Sequence, residues 1–438
     1  MPKKYCVGIL TLGCKVNQYE SEALAERFAA RGIEVREPSC ACDGYVVNTC
    51  TVTAEADRKS RQMIRRLHQF NPAAPIVVTG CTAQTSPEKL AAIEGVAAVV
   101  GNSAKLTCAD ILIDAMENGV YGDTRIIVPD LALVPFEPMC LRSFPRTRVY
   151  IKIEDGCENK CAYCAIPGAR GPVRSKAPED VISEIRGFID AGVREIVLTG
   201  IETASYGKDL KNVTLADLLR QADAVCGDCR IRLGSVDPSL FRQSFVDGIR
   251  DLRSVAPHFH ISLQSGNSKT LAGMRRKYNA DGARAAMERI RTAIPGVQFT
   301  TDVIVGFPGE TDEDFAETKQ FLIDERFLTV HIFPYSRRRG TPADTMRDQV
   351  PEEVKHARAA ELASLEAEIR RDILDGIVSA GGTYPVLFET FADGIATGHT
   401  PSFLEVAVPS ERDLHGITRN VRITSHDGNV LRGIIDEN

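Results

Sequence analysis

The feature that most constrains this chain is a group of three cysteines, Cys157, Cys161 and Cys164, within the segment CENKCAYC. A cubane iron–sulfur cluster normally takes four protein thiolates, so three thiolates leave one iron open, as a catalytic metal centre does. A zinc knuckle is the competing interpretation. It is disfavoured because the next histidine is His258, and no nearby Cys or His closes a tetrahedral site. The spacing therefore predicts an iron–sulfur cluster with a vacant coordination position.

The composition limits the class of protein. With 438 residues, the chain is long enough for about two or three domains. It contains no run of about 18 apolar residues, so we expect no membrane association. Thirteen cysteines, an odd number, and an N-terminus unlike a signal peptide favour a cytoplasmic protein with metal-bound thiols over a disulfide-bonded one. Because the net charge is −6, any RNA contact needs local basic patches.

The N-terminal region, residues 1–120, alternates strand-like and helix-like segments, which predicts an open parallel sheet with helices on its faces. Three strand-like segments, ILTLGC, VVNTC and VVTGC, each end in a cysteine: Cys14, Cys50 and Cys81. Because the carboxyl ends of parallel strands share the ligand-binding edge of a sheet, we expect these thiols to converge. Three convergent thiols again predict an iron–sulfur cluster with one open iron. The other seven cysteines are expected to be inert thiols.

The central region, residues 146–372, repeats a strand–helix unit six times, which predicts a partial (β/α)6 barrel. In such barrels the chemistry lies at the carboxyl ends of the strands, and hydrogen-bonding residues follow the predicted strands here. Taken alone, each of them is a turn or cap residue. Taken together, they predict a pocket around the three-cysteine loop. The pocket residues are Gly200, Glu202, Ser235, Asp237, Gln264, Asp302 and Tyr335.

Two further segments complete the predicted organisation. Residues 121–145 hold several prolines with little periodicity and are expected to form an extended connector. After a long helix from Glu352 to Asp372, residues 373–438 show five short strands separated by turns, which predicts a small OB-like β-barrel. Three basic stretches flank the predicted barrel mouth and are the expected nucleic-acid contacts. They are Arg170–Lys176, Arg275–Lys277 and Arg337–Arg339.

Motifs along nearly the whole chain resemble one family. The segments TLGCKVNQYES, VVNTC, VVTGC, CENKCAYC, DVIVGFPGET and HIFPYSRRRGTPA, followed by a small β domain, resemble the radical S-adenosylmethionine (SAM) methylthiotransferases. The resemblance implies an N-terminal cluster domain, a radical SAM core and a C-terminal TRAM domain. The CKVNQ and HIFPYS segments are most similar to the MtaB-type branch, which modifies threonylcarbamoyl-adenosine at tRNA position 37, next to the anticodon.

The resemblance also implies cofactors and roles. It implies two [4Fe-4S] clusters, of which the one on the CENKCAYC cysteines reduces SAM to a 5′-deoxyadenosyl radical with electrons from an external donor. The three N-terminal cysteines hold an auxiliary cluster whose open iron carries the sulfur that is methylated. The methylthio group is then inserted at carbon 2 of the adenine in tRNA. Tyr163 is expected to pack near the adenine of SAM, and the pocket residues named above to bind the rest of SAM.

Other functions remain open on the sequence alone. Within the same class, the substrate is alternatively isopentenyl-adenosine in tRNA or a ribosomal-protein side chain. Two different classes are a non-catalytic iron–sulfur sensor that binds RNA and a zinc-binding structural protein. The nucleoside product, the formation of 5′-deoxyadenosine and the metal content distinguish these alternatives.

Overall fold

The computed structural model describes residues 5–119, 122–144 and 146–436. It confirms the predicted α/β fold class, with an N-terminal open parallel sheet, a central partial barrel and a small closed β-barrel at the C-terminal end. The expected domain and connector bounds at residues 1, 120, 121, 145 and 438 lie outside the described residues.

The N-terminal sheet contains six parallel strands. They are β1 (Cys6–Thr11), β2 (Glu34–Arg36), β3 (Gly44–Thr49), β4 (Ile76–Gly80), β5 (Val96–Val100) and β6 (Arg125–Ile127). The helices between them are α1 (Lys15–Ala29), α2 (Ala54–Phe70), α3 (Cys81–Thr85), α4 (Pro87–Ala91) and α5 (Thr107–Asn118). The strand order is β2-β1-β3-β4-β5-β6. Strands β3, β4 and β5 are buried along their whole length, as parallel strands covered on both faces are.

The sequence pattern does not predict the two edge strands, β2 and β6. Each has three residues, and most of their side chains are exposed, so neither shows an apolar run. Strand β6 lies inside the segment expected to be a connector, and it extends the first sheet by pairing Ala98 of β5 with Arg125. Part of the expected connector is therefore a strand of the first sheet.

The central region forms a partial barrel. Its strands are β7 (Arg148–Lys152), β8 (Glu154–Asp155), β9 (Arg174–Ser175), β10 (Glu195–Thr199), β11 (Arg230–Leu233), β12 (His258–Gln264), β13 (Gln298–Val305) and β14 (Thr329–Pro334). Its helices are α6 (Ile166–Arg170), α7 (Pro178–Asp190), α8 (Leu215–Cys226), α9 (Gln243–Ile249), α10 (Ser268–Gly273), α11 (Ala280–Ala293) and α12 (Asp312–Glu325). Short 3-10 turns lie at Thr203–Ser205, Pro238–Leu240 and Pro342–Thr345.

Six of these strands build the barrel wall. Parallel sheets β7-β10-β11 and β12-β13-β14 are joined by single bridges, of which one pairs Val236 with Ile261. Side chains alternate between the helix layer and the barrel interior, which we call the lumen. On β12, Phe259 packs in the core, whereas His258 and His260 both contact the Thr300 hydroxyl of β13 on the lumen side. Antiparallel β8 and β9 bracket the cysteine loop.

The C-terminal part begins with a helix longer than predicted. Helix α13 (Glu352–Ala380) continues beyond Asp372 and through Gly376, and it ends where Gly381 adopts φ +65°. The five strands that follow are β15 (Thr383–Ala392), β16 (Ile395–His399), β17 (Glu405–Pro409), β18 (Thr418–His426) and β19 (Leu431–Ile435). They close in the order β15-β16-β17-β19-β18, which confirms the small barrel.

One aromatic side chain lies at the centre of the contact between the small barrel and the partial barrel. Phe403 stacks on His258 and His399, with ring centroids 4.6 and 4.8 Å away. The guanidinium groups of Arg148 and Arg232 lie over the same ring, 5.2 and 4.8 Å from its centroid. Across the part of the chain that the structure describes, no helix combines the length and apolarity needed to cross a membrane.

Candidate active site

The three N-terminal cysteines lie at the same edge of the first sheet. Cys14 follows β1 and caps α1, Cys50 follows β3, and Cys81 begins α3 directly after β4. The Asn17 amide donates a 3.0 Å hydrogen bond to the carbonyl of Thr49, which joins two of these turns. Burial, with the nearby charges of Cys81 and Cys14, raises the pKa of Cys50 to about 11. The three sulfur atoms therefore share one electrostatic environment.

Two glycines allow the cysteine-bearing turns to approach one another. Gly13 has φ +101° and Gly80 has φ +98°, values that L side chains rarely adopt. A Cβ atom at position 13 would lie 2.8 Å from the sulfur of Cys50, and one at position 80 would lie 2.3 Å from the carbonyl oxygen of Thr49. The glycines in LGC and TGC are thus requirements of the sulfur arrangement.

The second group of cysteines lies on the loop between β8 and β9. Cys161 is buried, and Cys157 and Cys164 are partly buried. Burial, together with the other thiol charges on the loop, raises the pKa of Cys157 to about 12 and that of Cys164 to about 11. The backbone N–H of Ile166 lies 3.5 Å from the Cys164 sulfur as a donor. Thiolates at this loop therefore need a compensating cation.

The two trios lie close to each other. The charge of Cys81 in the first trio contributes, after burial and the loop's own charges, to the raised pKa of Cys164 in the second. The amide of Asn102 donates to the carbonyl of Ala169 at 2.7 Å and lies 3.8 Å from the Cys81 sulfur. A short helix of the N-terminal region, α3, therefore packs against α6 of the central region beside both trios.

The sulfur spacing is informative about the metal. Four ligands of a single zinc ion stand about 3.8 Å apart, given Zn–S bonds of about 2.3 Å. In the described parts of the chain, the one group of three or more metal-ligating residues with all ligand atoms within 4.8 Å is His260, Asp302 and His331. Neither cysteine trio meets that limit. Neither trio is therefore arranged as the ligand set of one zinc ion.

A buried arginine connects the first trio to the central barrel. The Nε of Arg170 donates to the Cys81 sulfur at 3.3 Å, and its two Nη atoms donate to Glu20 and Asn17, each at 2.6 Å. Glu20 also accepts from Lys152 at 2.7 Å. Although burial opposes ionisation, these cations hold the pKa of Glu20 well below its usual range. Sequence analysis missed this network, whose members lie far apart in the chain.

A second arginine serves the loop trio in the same way. The Nη1 of Arg276 donates to the Cys161 sulfur at 3.2 Å, and Nη2 donates to Asp237 at 2.8 Å and to the carbonyl of Ser262 at 3.0 Å. Hydrogen bonds to cluster sulfurs are one of the means by which proteins tune iron–sulfur potentials. Each trio therefore has one arginine on one sulfur.

Two predicted pocket residues lie beside the loop trio. Glu202 accepts a 2.8 Å hydrogen bond from Asn159, and Asp237 is held by Arg276. Both carboxylates line a cavity of about 470 Å³. Burial, followed by the charge of Asp237, raises the pKa of Glu202 to about 7. This carboxyl is thus poised to ionise near neutral pH.

A buried glutamate behind this pocket was not singled out from the sequence. Glu154 accepts a 2.8 Å hydrogen bond from the backbone of Glu202, and burial raises the pKa of Glu154 well above its usual value. Its other oxygen has no partner among the described residues. A Cβ at Gly200 would lie 2.6 Å from Glu154, so the predicted Gly200 permits the backbone to pass close to this carboxyl.

The other predicted pocket residues lie at different places in the central barrel. Ser235 is exposed, Gln264 is buried at the end of β12 with φ +71°, and Asp302 faces the lumen 3.2 Å from His260. Tyr335 lies in a small core beneath the cysteine loop, and Tyr163 packs against the same core. The structure therefore places Tyr335 below the pocket and not in its lining.

The prediction that Arg170–Lys176 contacts nucleic acid is wrong. Arg170, Arg174 and Lys176 are buried, with 0, 6 and 3% of their surface exposed. Lys176 pairs with Glu184 on α7. The basic residues of this stretch compensate internal carboxylates whose positions the local sequence does not reveal.

The other two basic stretches are also partly committed to internal contacts. Arg276 holds the loop trio, and Arg338 donates to Asp57 on α2 at 2.7 Å. Arg337 pairs with Asp344 at 3.1 Å. The number of basic residues in a stretch of sequence therefore overestimates how many of them are available to bind nucleic acid.

Two family models match the chain. Residues 6–101 match the model described as Uncharacterized protein family UPF0004, and residues 151–322 match the Radical SAM superfamily. The first match spans the N-terminal cysteine trio, and the second spans the loop trio. The solved structure of TsrM, a radical S-adenosylmethionine methyltransferase from Kitasatospora setae, is similar over 78% of this chain and 77% of that chain, with a TM-score of 0.57 and 16% identity. This likeness supports the fold.

Curated relatives match over nearly the whole length. The threonylcarbamoyladenosine tRNA methylthiotransferase MtaB of Bacillus subtilis is 39% identical over 98% of this chain and 97% of its own. The tRNA-2-methylthio-N(6)-dimethylallyladenosine synthase of Acetivibrio thermocellus is 33% identical over 98% of this chain and 91% of its own. With two neighbouring cysteine trios on a radical SAM fold, the chain belongs to the radical SAM tRNA methylthiotransferase family.

Proposed function

We propose that this chain inserts a methylthio group at carbon 2 of threonylcarbamoyl-adenosine at tRNA position 37 by radical SAM chemistry. The observation that carries the proposal is the pair of neighbouring cysteine trios. One open iron has to bind SAM and the other a sulfur species, so neither cluster can be closed by a fourth protein thiolate. The identity to the MtaB relative, 39%, exceeds the 33% to the dimethylallyladenosine synthase and supports the threonylcarbamoyl substrate.

The proposed ligands follow from the two trios. Three cysteines of the central loop hold the cluster that binds SAM, and three at the sheet edge hold the auxiliary cluster. These ligands are Cys157, Cys161, Cys164, Cys14, Cys50 and Cys81. When bound, the two [4Fe-4S] clusters and SAM supply the radical and the methylthio group. The protein positions them, hydrogen-bonds their sulfurs through Arg170 and Arg276, and excludes water.

The proposed SAM contacts lie around the loop trio. Glu202 and Asp237 line the adjacent cavity and offer carboxylates to the amino and ribose hydroxyl groups of SAM. Gly200 brings the backbone close, and Tyr163 packs beside the loop for the adenine. Glu154 fixes the Glu202 backbone and, because burial favours its neutral form, adds no negative charge to the pocket. Ser235, Gln264 and Asp302 remain candidate contacts at the strand ends.

The proposed macromolecular partner is tRNA. The exposed residues Arg65 and Arg66 on α2 and the five-stranded C-terminal barrel, which we assign as the TRAM domain, are the surfaces that we expect to contact its backbone. An external electron donor has to supply the reducing electron. The reducing compartment that such chemistry and thirteen free cysteines require is the cytoplasm.

Nucleoside mass spectrometry of tRNA from a deletion strain tests the substrate. We expect the methylthio form of threonylcarbamoyl-adenosine to disappear while its unmodified precursor accumulates, and wild-type gene copies to restore it. Unchanged methylthio-threonylcarbamoyl-adenosine would reject the proposal, and a selective loss of methylthio-isopentenyl-adenosine would replace it. Absence of 5′-deoxyadenosine after anaerobic incubation with SAM and dithionite would indicate a sensor and not an enzyme.

A further inference from the structure

The lumen contains the residues of the two segments that are most typical of the MtaB-type branch. Lys15 belongs to CKVNQ and begins α1 beside Cys14, and His331 and Phe333 belong to HIFPYS on β14. The charge of Lys15 is one of those that, after burial, lower the pKa of His331 and of His258. Asp302, which lies 3.2 Å from His260, acts in turn on the pKa of Lys15. Two segments far apart in the chain therefore meet in one space.

Most cations of the lumen are already paired. Arg148 pairs with Glu389 at 2.9 Å, and Arg230 and Arg232 pair with Glu195 at 2.9 and 2.8 Å. Lys15 differs: within the described ranges its ammonium has no hydrogen-bond or ion-pair partner, and its side chain keeps exposed surface. Its surroundings nevertheless lower its pKa, chiefly through burial and then through the charges of Arg148 and Arg232. An unpaired cation beside paired ones marks a place for an anionic ligand group.

The imidazole of His331 is also uncommitted. Its neighbour His260 uses both ring nitrogens, one with Thr300 at 2.9 Å and the other with Asp302 at 3.2 Å. Asp302 is thereby engaged as an acceptor. His331 has no hydrogen-bond partner in the described residues, and its ring centroid lies 5.5 Å from that of His260. It can therefore donate an N–H to an anion near Lys15.

An exposed aromatic side chain adjoins this pair. Phe333 keeps 47% of its surface exposed and lies on the same face of β14 as His331, two residues nearer the carboxyl end. Residues two apart on a strand are about 7 Å from each other. Single bases that enzymes take out of a stack are held against aromatic rings. The distance leaves room for one amino-acid arm between a stacked base and the cationic pair.

We infer that Lys15 and His331 bind the carboxylate of the threonylcarbamoyl arm while Phe333 stacks on the adenine that carries it. The inference rests on the proposed function and names the substrate group that the lumen recognises. A dimethylallyl or isopentenyl arm is apolar and uncharged, so it leaves the Lys15 ammonium without a partner. Sites built to pair a polar group reject analogues that lack it.

A divalent metal ion is the other occupant that the lumen suggests. His260, Asp302 and His331 have ligand atoms within 4.8 Å of one another. However, the positive charge of Lys15, which acts on His331 of this trio, disfavours a cation there. The arrangement thus fits an anion better than a metal.

The test compares two anticodon stem-loops that differ in one group. One carries threonylcarbamoyl-adenosine at position 37, and the other carries its threonine amide, which has the same shape without the charge. Cluster-loaded wild-type enzyme should methylthiolate the carboxylate substrate about 10- to 100-fold more efficiently in kcat/KM, the range of one or two hydrogen bonds to a charged group. Lys15→Gln should lose this preference mainly through KM, and Lys15→Arg should keep it.

The matched control is Lys89→Gln, which removes the same charge from an exposed position on α4, and it should discriminate as the wild type does. Iron and sulfide content and anisotropy-measured binding of both stem-loops show whether Lys15→Gln retains its clusters and its RNA affinity. If Lys15→Gln still prefers the carboxylate stem-loop as strongly as the wild type does, the inference is wrong but the proposed function stands. Wild-type turnover of neither stem-loop overturns the proposed function and the inference with it. A metal ion that is bound in addition to the two iron–sulfur clusters, and that is lost in His331→Ala, would show that this site binds a metal ion and not a carboxylate.

Discussion

The two cysteine trios are built in opposite ways. The loop trio, Cys157 to Cys164, comes from one short segment between β8 and β9, so local spacing alone brings its sulfurs together. The sheet-edge trio comes from three separate turns, and it forms only when β1, β3 and β4 pair in register. A local site needs a correct loop, whereas an assembled site needs a correct domain. The assembled trio should therefore be the more sensitive to changes in packing.

The largest expected effect separates the roles of the two trios. Cys161→Ala should abolish both 5′-deoxyadenosine formation and methylthio product, because the SAM-binding cluster loses a ligand. Cys50→Ala should abolish product but retain 5′-deoxyadenosine formation uncoupled from it. Anaerobic assays with SAM, dithionite and modified tRNA measure both products. Cys40→Ala, an exposed thiol outside both trios, is the matched control. Normal methylthio product from Cys50→Ala would show that the division of labour is wrong.

The next effect concerns the interface that supports the assembled trio. Arg170→Met should lower the free energy of unfolding by about 3–5 kcal/mol, because it leaves Glu20 and Asp155 buried with less compensation. Anaerobic urea denaturation measures this loss. Arg170→Lys keeps the charge but loses the planar guanidinium group, so its free energy of unfolding should lie between those of the wild type and Arg170→Met. A Met variant as stable as the wild type would mean that the network does not hold the two regions together.

A smaller effect tests the turn geometry itself. Gly80→Ala places a Cβ 2.3 Å from the Thr49 carbonyl at φ +98°, so we expect a loss of about 1–3 kcal/mol and of the auxiliary cluster. Iron and sulfide content should fall to about half while 5′-deoxyadenosine formation persists. Gly187→Ala, in α7 with open space around it, is the control and should be neutral or stabilising. Full iron content in Gly80→Ala would show that the sheet-edge trio does not require glycine at position 80.

The smallest effect lies beside the loop trio. Glu202 has a pKa raised to about 7, chiefly by burial, so its carboxyl is protonated below that pH in the free enzyme. If the carboxylate pairs with the SAM ammonium, SAM affinity should rise as pH increases towards 7, by at most about tenfold per unit, and level off above it. Equilibrium dialysis at several pH values measures this rise. Glu202→Gln should flatten the profile, and an unchanged profile would exclude the pairing.

The sequence predicts the parts of the molecule that repeat a local rule. Apolar runs predict the inner strands, and the cysteines that follow these strands predict the sheet-edge trio. The pairing partners of buried charges follow no local rule. Arg170 and Glu20 are separated by 150 residues and meet only after two regions fold against each other. The same reason explains why Arg170–Lys176 was predicted to face nucleic acid although it faces carboxylates inside the protein.

The ends of helices and the short strands at sheet edges are also poorly predicted from the sequence. The last long helix was predicted to end at Asp372, but it continues through Gly376, which lies on an open side of α13 where nothing opposes a helical glycine. The short edge strands β2 and β6 were missed because exposed three-residue strands have no apolar pattern. In the candidate site, the ring of Tyr335 lies in a small core with Ala162 of the cysteine loop, and its contact with SAM stays a prediction. Position along a strand alone does not fix the direction of a side chain.

Helix α13 has a mechanical consequence. It is unbroken for 29 residues, so it spans about 44 Å. Near one end Lys355 lies over the Tyr335 ring, at mid-length Arg370 donates to Thr329 of β14, and near the other Asp375 accepts from His426 of β18. Because this one helix contacts both β14 and the small barrel, a displacement of the small barrel would be passed on to the strand that carries His331 and Phe333.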